Sequence, residues 1–460
     1  MAEPLWTSDE IVRATGGVLT GAPFDATGVS IDTRSLERGD LFVALADVRD
    51  GHDFVAQALD RGAAGSVVTR PVAGSQILVA DSLKALEALG VAARKRATLA
   101  RRGAVTGSVG KTSITQALAA GLALAGPSHA SVQSYNNHIG VPLTLARTPR
   151  ATRRAVFEVG MNHADEIAPL SRMIEPHAVV ITTVGPVHME NFADGEEGVA
   201  RAKAEIFAGL QPDGVAVLNA DNRWFDLLKA EAETVGARVV RFGVAEGCDA
   251  QLTGFEPAHG GAVVGARVHG RSLRFPIRQS GAHWGLNSLA VILMLEALEV
   301  DLDTGLAALA DFGPLAGRGA EQTIAMARGA FDLIDESYNA NPVSMAAAIA
   351  SLGARRVSGR RIVALTDMLE LGADSPRYHA QLARPIAEAG VDLVFCAGPL
   401  MESLWKALPV AQRGAYARTA AELSGAVAEA IRSGDVVLVK GSKGSKAADI
   451  AADLTKGAAG

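Results

Sequence analysis

Short apolar runs alternate along the chain with longer stretches in which alanine and leucine recur at helical spacing, the pattern of α/β domains. In the first hundred residues, 41–45, 66–69 and 76–80 read as strands, and 53–61 and 82–96 as helices. A short strand at 104–105, a glycine-rich turn and an amphipathic helix at 114–125 then open a second, larger unit. Further strands follow at 155–159, 178–183, 214–218 and 238–242. The alternating, glycine-rich stretch 254–277 predicts hairpins, and 284–298 predicts a helix. The breaker density of 313–319 predicts a hinge. Beyond it, strands at 330–335, 361–365, 393–397 and 436–439 alternate with Ala/Leu-rich helices, as in a doubly wound, mostly parallel sheet. The expected architecture is three α/β domains, at 1–100, 101–314 and 315–460. Arg94-Lys95-Arg96 and Arg101-Arg102 read as a solvated linker between the first two.

Composition narrows the classes of function. A chain of 460 residues that is 48% hydrophobic and 20% charged has material for several cores, which excludes global disorder. The net charge is −6 and no long basic run occurs, so no nucleic-acid partner is expected. Cys248 and Cys396 are isolated, which excludes a disulfide framework or a thiolate metal site and fits a reducing compartment. The start carries Glu3, Asp9 and Glu10 without a basic segment and apolar core, and no apolar run is long enough to span a bilayer. A cytoplasmic protein without membrane contact is the expectation.

The sharpest local signal is Gly107-Ser108-Val109-Gly110-Lys111-Thr112-Ser113, set between a strand and a helix. Glycines let backbone N–H groups wrap phosphate oxygens, and the helix N-terminus favours their charge. Lys111 would reach the β and γ phosphates, and Thr112 would offer a hydroxyl to Mg²⁺. Val105 replaces the first glycine of the common phosphate-loop pattern, so the loop is a shorter variant. Glu158 ends a strand, where a carboxylate can hold the Mg²⁺ bridging nucleotide phosphates. His188, Lys203 and the pair Asn136-Asn137 are ambiguous singly, because structural histidines, solvated helix lysines and turn asparagines are common. Lys440-Gly441-Ser442 follows a strand, where it is either a solvated basic turn or a contact for an anionic substrate.

Together these motifs, in this order and over nearly the whole chain, resemble the Mur ligases, ATP-dependent amide-forming enzymes of peptidoglycan precursor synthesis. The resemblance implies a UDP-substrate-binding first domain, a phosphate-loop central domain and a Rossmann-like last domain. Asp32-Thr33-Arg34 and His52 resemble the UDP-sugar region. The family's pattern implies that Gly107 to Ser113, with Asn287, Arg318 and Asn339, bind ATP. It also implies that Thr112 and Glu158 hold one Mg²⁺, and that His188 and a carbamylated Lys203 help hold a second. Lys111, Glu158, His188 and Lys203 form the implied catalytic set. Asn136, Asn137, Tyr338, Lys440 and Ser442 match positions implied to meet substrate. The element from Asp335 to Pro342 most resembles the members that add D-alanyl-D-alanine to a UDP-N-acetylmuramoyl-tripeptide. Members adding the third residue, and folylpolyglutamate synthases, are the near alternatives; a phosphate-loop switch or motor ATPase is the distant one. A monomer is expected.

Overall fold

The computed structural model describes residues 3–46, 49–132, 134–258 and 260–456. Three main sheets organise it. The first has five strands in the order Val18–Thr20, Gln76–Leu78, Gly65–Val68, Asp40–Val43 and Gly28–Ser30, parallel except for the first pair. The central sheet has nine strands. Seven neighbours run parallel, from Ser128–Ala130 through Arg154–Glu158, Arg101–Thr106, Ala178–Ile181, Val215–Asn219 and Arg238–Gly243 to Ala250–Ala258. The predicted hairpins complete it, with Gly261–Val268 and Arg271–Ile277 extending the edge antiparallel. The last sheet has six strands, ordered Ala320–Ala325, Ala330–Glu336, Val436–Lys440, Arg361–Thr366, Leu393–Ala397 and Arg413–Ala417. Only its first pair is antiparallel.

Inner strands such as Ala178–Ile181 and Val436–Lys440 are buried throughout, because helices cover both faces of their sheets. On one face of the central sheet, helices Lys111–Leu124 and His283–Ala297 share a core with Val105 and Val217. On the other, Ile167–Ile174 and Glu196–Ala204 pack over Phe157 and Leu218. This arrangement sets the carboxyl ends of the inner central strands around one crevice.

One sequence expectation needs correction. The arginines at 94–102 are not a solvated linker. Arg94 is buried and donates to the carbonyl of Met173 at 2.8 Å, and Arg102 Nε donates to that of Ile174 at 2.8 Å. Both thereby satisfy the carbonyl end of the helix Ile167–Ile174, where a guanidinium's five donors can meet several carbonyls at once. Arg96 donates to the carbonyl of Leu5 at 2.6 Å and lies 3.8 Å over the Trp6 ring. Burial lowers the guanidinium pKa of both Arg96 and Arg102 to about 10, which still leaves them charged. The core of the first sheet also reaches past residue 100. Leu143 and Ala146, on the helix Gly140–Ala146, pack with Trp6, Leu86 and Leu89, and Trp6 Nε1 donates to the carbonyl of Ala146 at 2.9 Å.

Elements absent from the sequence reading are short or at edges. The helix Ser8–Thr15 is closed by a Thr7/Glu10 capping box, and the edge strand Ala320–Ala325 is largely exposed and polar. The strand leaves no apolar run, and the helix, though amphipathic, is only eight residues long.

Candidate active site

The crevice is built outward from the loop after Arg101–Thr106. Gly107 and Gly110 take φ of 146° and 85°, and a side chain at Gly107 would collide with Thr182. The hydroxyl of Thr182 donates to the carbonyl of Val109, the N–H of Ser108 to that of Thr183 at 2.8 Å, and Ser108 Oγ to that of Gly185 at 3.1 Å. The loop is thus clamped to the neighbouring strand end. The helix Lys111–Leu124 starts without a side-chain cap, so its first N–H groups stay open to an anion. Lys111 Nζ donates to the carbonyl of Gly107 at 2.7 Å, and burial lowers its pKa against the opposing pull of Glu158.

Glu158 ends the strand Arg154–Glu158 and is 1% exposed. Its Oε1 accepts from Asn136 Nδ2 at 2.7 Å, while Oε2 is buried with no partner among the described residues. A buried carboxylate oxygen with nothing to accept is costly unless a cation meets it. Lys203, on the helix Glu196–Ala204, is 2% exposed and has no hydrogen bond or ion pair among the described residues. Burial, and then the charge of Lys111, hold its pKa well below the ordinary lysine range. Lys203 is not among the residues that line the cavity shared by Glu158 and Lys111, whereas His188 is. Its Nδ1 stands 2.7 Å from Glu370 Oε2, close enough for an ion pair yet off the line of a hydrogen bond. That contact lowers the Glu370 carboxyl pKa.

The described residues contain no cluster of three or more His, Cys, Asp or Glu side chains able to hold a metal by themselves. The fit is instead to a hard cation shared with phosphate. The Thr112 hydroxyl and the unpartnered Glu158 oxygen could supply part of one coordination shell and His188 part of another, leaving positions for phosphate oxygens and water.

The last domain closes over this floor. Arg318, Tyr338 and Asn339 line a cavity of about 650 Å³ opposite the phosphate loop and Asn287. The Arg318 guanidinium stacks 4.0 Å from the Tyr338 ring centre, and the Tyr338 hydroxyl hydrogen-bonds Ser134. Asn341 Nδ2 lies 3.4 Å from the carbonyl oxygen of Ser108, and a side chain at Gly185 would press on Val343. Lys440 and Ser442 also border the cavity but are engaged internally. Lys440 Nζ donates to Glu336 Oε2 at 3.1 Å and to the carbonyl of Asn339 at 3.0 Å. Ser442 Oγ accepts from the N–H of Leu369 at 3.0 Å. In this state they shape the loops around them.

The first-domain residues stand apart from the cavity. His52 is buried, with Nδ1 2.6 Å from Asp50 and Nε2 accepting from the Thr69 N–H at 2.9 Å. Both ring nitrogens are used, so His52 braces two loops and has no free valence for a ligand. Thr33 donates to Gln57 at 2.8 Å, and Asp32 pairs with the exposed Arg34, Nη2 to Oδ2, at 2.6 Å. Asn137 caps the helix Gly140–Ala146, its Oδ1 accepting from Gly140 at 2.9 Å. Sequence reasoning did not single out Glu370, Glu336, Ser134, Asn341 or Thr182. Glu336 and Asn341 lay within the Asp335–Pro342 element without being given a role, and Thr182 lies just beyond a strand carboxyl end.

Residues 105–295 match the model of the Mur ligase middle domain, and 322–443 that of the Mur ligase glutamate ligase domain. The chain is similar to the UDP-N-acetylmuramoyl-tripeptide–D-alanyl-D-alanine ligase of Escherichia coli (strain K12), at 35% identity over 85% of this chain and 86% of that one. The enzyme of the same name from Bacillus subtilis (strain 168) is 32% identical over 97% and 98%. Among solved structures, MurF from Acinetobacter baumannii superposes with a TM-score of 0.86 at 29% identity, covering 99% of each chain.

Proposed function

The chain belongs to the Mur ligase family, and we infer that it is the ATP-dependent ligase joining D-alanyl-D-alanine to a UDP-N-acetylmuramoyl-tripeptide in peptidoglycan precursor synthesis. The observation that carries this reading is the closed crevice itself. An open helix N-terminus, the half-buried cation Lys111 and an unpartnered carboxylate oxygen of Glu158 face one cavity beneath the last domain.

The reaction activates the tripeptide's terminal carboxylate with the γ-phosphoryl group of ATP, giving an acyl phosphate and ADP. The dipeptide amine then attacks the acyl carbon, and phosphate leaves from the tetrahedral intermediate. Carboxylate and γ-phosphate are both anions, so their approach needs fixed positive charge. Lys111 and the N–H groups at the start of its helix supply it with no reorganisation during the reaction. When bound, one Mg²⁺ at Thr112 and Glu158 and a second at His188 and the Lys203 carbamate would neutralise charge on the phosphates. Asn136 holds Glu158 Oε1, which leaves Oε2 directed to that cation. Arg318, Tyr338, Asn339 and Asn287 surround the nucleotide, and closure of the last domain keeps water from the acyl phosphate.

Lys203 reacts with CO₂ to form a carbamate. That reaction requires a neutral amine, and the depressed pKa of the buried Lys203 supports it. The product is an anionic oxygen ligand for the second cation. The first domain receives the UDP moiety through its Asp32–Arg34 surface, and the domains meet near residues 100 and 314. The enzyme acts as a monomer in the cytoplasm; no helix among the described residues is long and apolar enough to cross a membrane.

An ADP-release assay with each substrate alone and with both together, with mass spectrometry of the product, tests the reaction. Turnover requiring both, with a product heavier by the dipeptide minus water, is expected. ADP release indifferent to either substrate would return the phosphate loop to the switch or motor class.

A further inference from the structure

His188 and Glu370 come from different domains and meet at the mouth of the crevice, Nδ1 to Oε2 at 2.7 Å. Both hold left-handed backbone conformations, with φ of 52° and 63°, which non-glycine residues adopt at some energetic disadvantage. Such strain persists only where the surroundings over-determine it. Around Glu370 they do. The carbonyl of Asp367 accepts from the N–H of Ser442 at 3.1 Å, and the N–H of Leu369 donates to Ser442 Oγ at 3.0 Å. The N–H of Met368 donates to Nε2 of the buried His379 at 3.0 Å. Asp367 Oδ1 accepts from the N–H of Met401 at 2.9 Å. A loop anchored on three separate segments thus carries one strained glutamate to a residue of the other domain.

At His188, Nδ1 is buried 2.7 Å from the carboxylate but off the line of a hydrogen bond, and Nε2 is engaged by no hydrogen bond or ion pair among the described residues. We propose that Glu370 is a positioning residue of the cation site, delivered by the last domain to the far side of the His188 ring. This rests on the ligase reading above. A carboxylate at Nδ1 keeps the proton there, orients the ring and makes Nε2 the better ligand, the usual role of an outer carboxylate behind a metal-binding histidine. Because the carboxylate comes from the other domain, cation binding and closure of the domains would be linked, each favouring the other by the same factor. The loop anchors at Ser442 and His379 then serve this purpose, which gives Ser442 a place in the site without direct contact to substrate.

The test uses the full chain with a non-hydrolysable ATP analogue and Mn²⁺ as the probe. Free Mn²⁺ is followed by electron paramagnetic resonance and closure by small-angle X-ray scattering. Glu370→Ala should weaken the more labile Mn²⁺ by on the order of tenfold, and Glu370→Gln, which keeps an oxygen beside Nδ1 without the charge, should recover part of it. The Mn²⁺ midpoint of compaction should move by the same factor. Wild-type Mn²⁺ affinity in both variants overturns the proposal and leaves the ligase reading standing; so does altered closure with unaltered affinity, the signature of a plain latch. Failure of the wild-type chain to bind Mn²⁺ with nucleotide overturns the proposal and the cation site of the ligase reading together. Glu370 is more than half exposed on a loop, so neither variant threatens the fold.

Discussion

Two groups of polar residues, one around the buried His52 and one around the buried Glu158 and Lys203, look alike in sequence and differ in what their atoms are left to do. In the first domain, His52, Asp50, Thr69, Thr33 and Gln57 satisfy one another, and the backbone N–H of His52, with the side chains of Arg70 and His52, pushes the Asp50 carboxyl far down. In the central domain, Glu158 Oε2 and Lys203 have no such partners among the described residues, and Lys111 reaches only a backbone carbonyl. A satisfied cluster stabilises a fold. An unsatisfied one opposes folding and persists where a ligand completes it. Motif membership does not separate the two cases; unmet bonding capacity does.

The largest effect that would sharpen the contrast is at Lys111. Lys111→Met should lower kcat by about 10³-fold through lost charge stabilisation, while the melting temperature holds or rises because a desolvated cation has gone. Thermal unfolding alongside turnover checks both halves. Lys203→Met should cost about 10²-fold in kcat, again without loss of stability, on the scale of removing a catalytic ligand. Wild-type protein given ¹³C-bicarbonate should show a carbamate carbon resonance that the variant lacks; an identical spectrum from both would remove the carbamate. His52→Ala should do the reverse, destabilising the protein by about 2 kcal/mol through an orphaned Thr69 N–H and Asp50, with kcat of the folded fraction unchanged. A catalytic loss at unchanged stability there would break the comparison.

The smallest effect concerns pH. His177 accepts from the N–H of Arg102 at 3.1 Å, and burial, helped by Arg102 and Arg101, lowers its pKa to about 4 from the ordinary 6.5. Below pH 6.5 the unfolded chain takes up a proton that the folded one refuses, so stability falls as pH drops towards 4 and is complete above 6.5. Melting temperatures from pH 7.5 to 4.5 should show that slope, and His177→Gln should flatten part of it.

Strand and helix order was legible because central parallel strands are buried on both faces and must read as apolar runs. The hairpins at 254–277 followed from their alternation, and the phosphate loop from glycines at positions that demand positive φ. What misled was charge. Arg94, Arg96 and Arg102 carry the composition of a linker, yet each donates to carbonyls far along the chain. No local pattern announces an arginine whose partner is a distant helix end. Glu370 was equally silent, because its partner His188 lies in another domain.

By itself, then, the sequence determined the family, the three sheets and the loop that cradles phosphate, since backbone conformation and hydrophobic period are local properties. Only the tertiary structure decided which polar groups remain unsatisfied. That depends on what packs against each from elsewhere in the chain: a carbonyl for Arg94, a carboxylate for His188, and for Glu158 Oε2 and Lys203 no partner among the described residues.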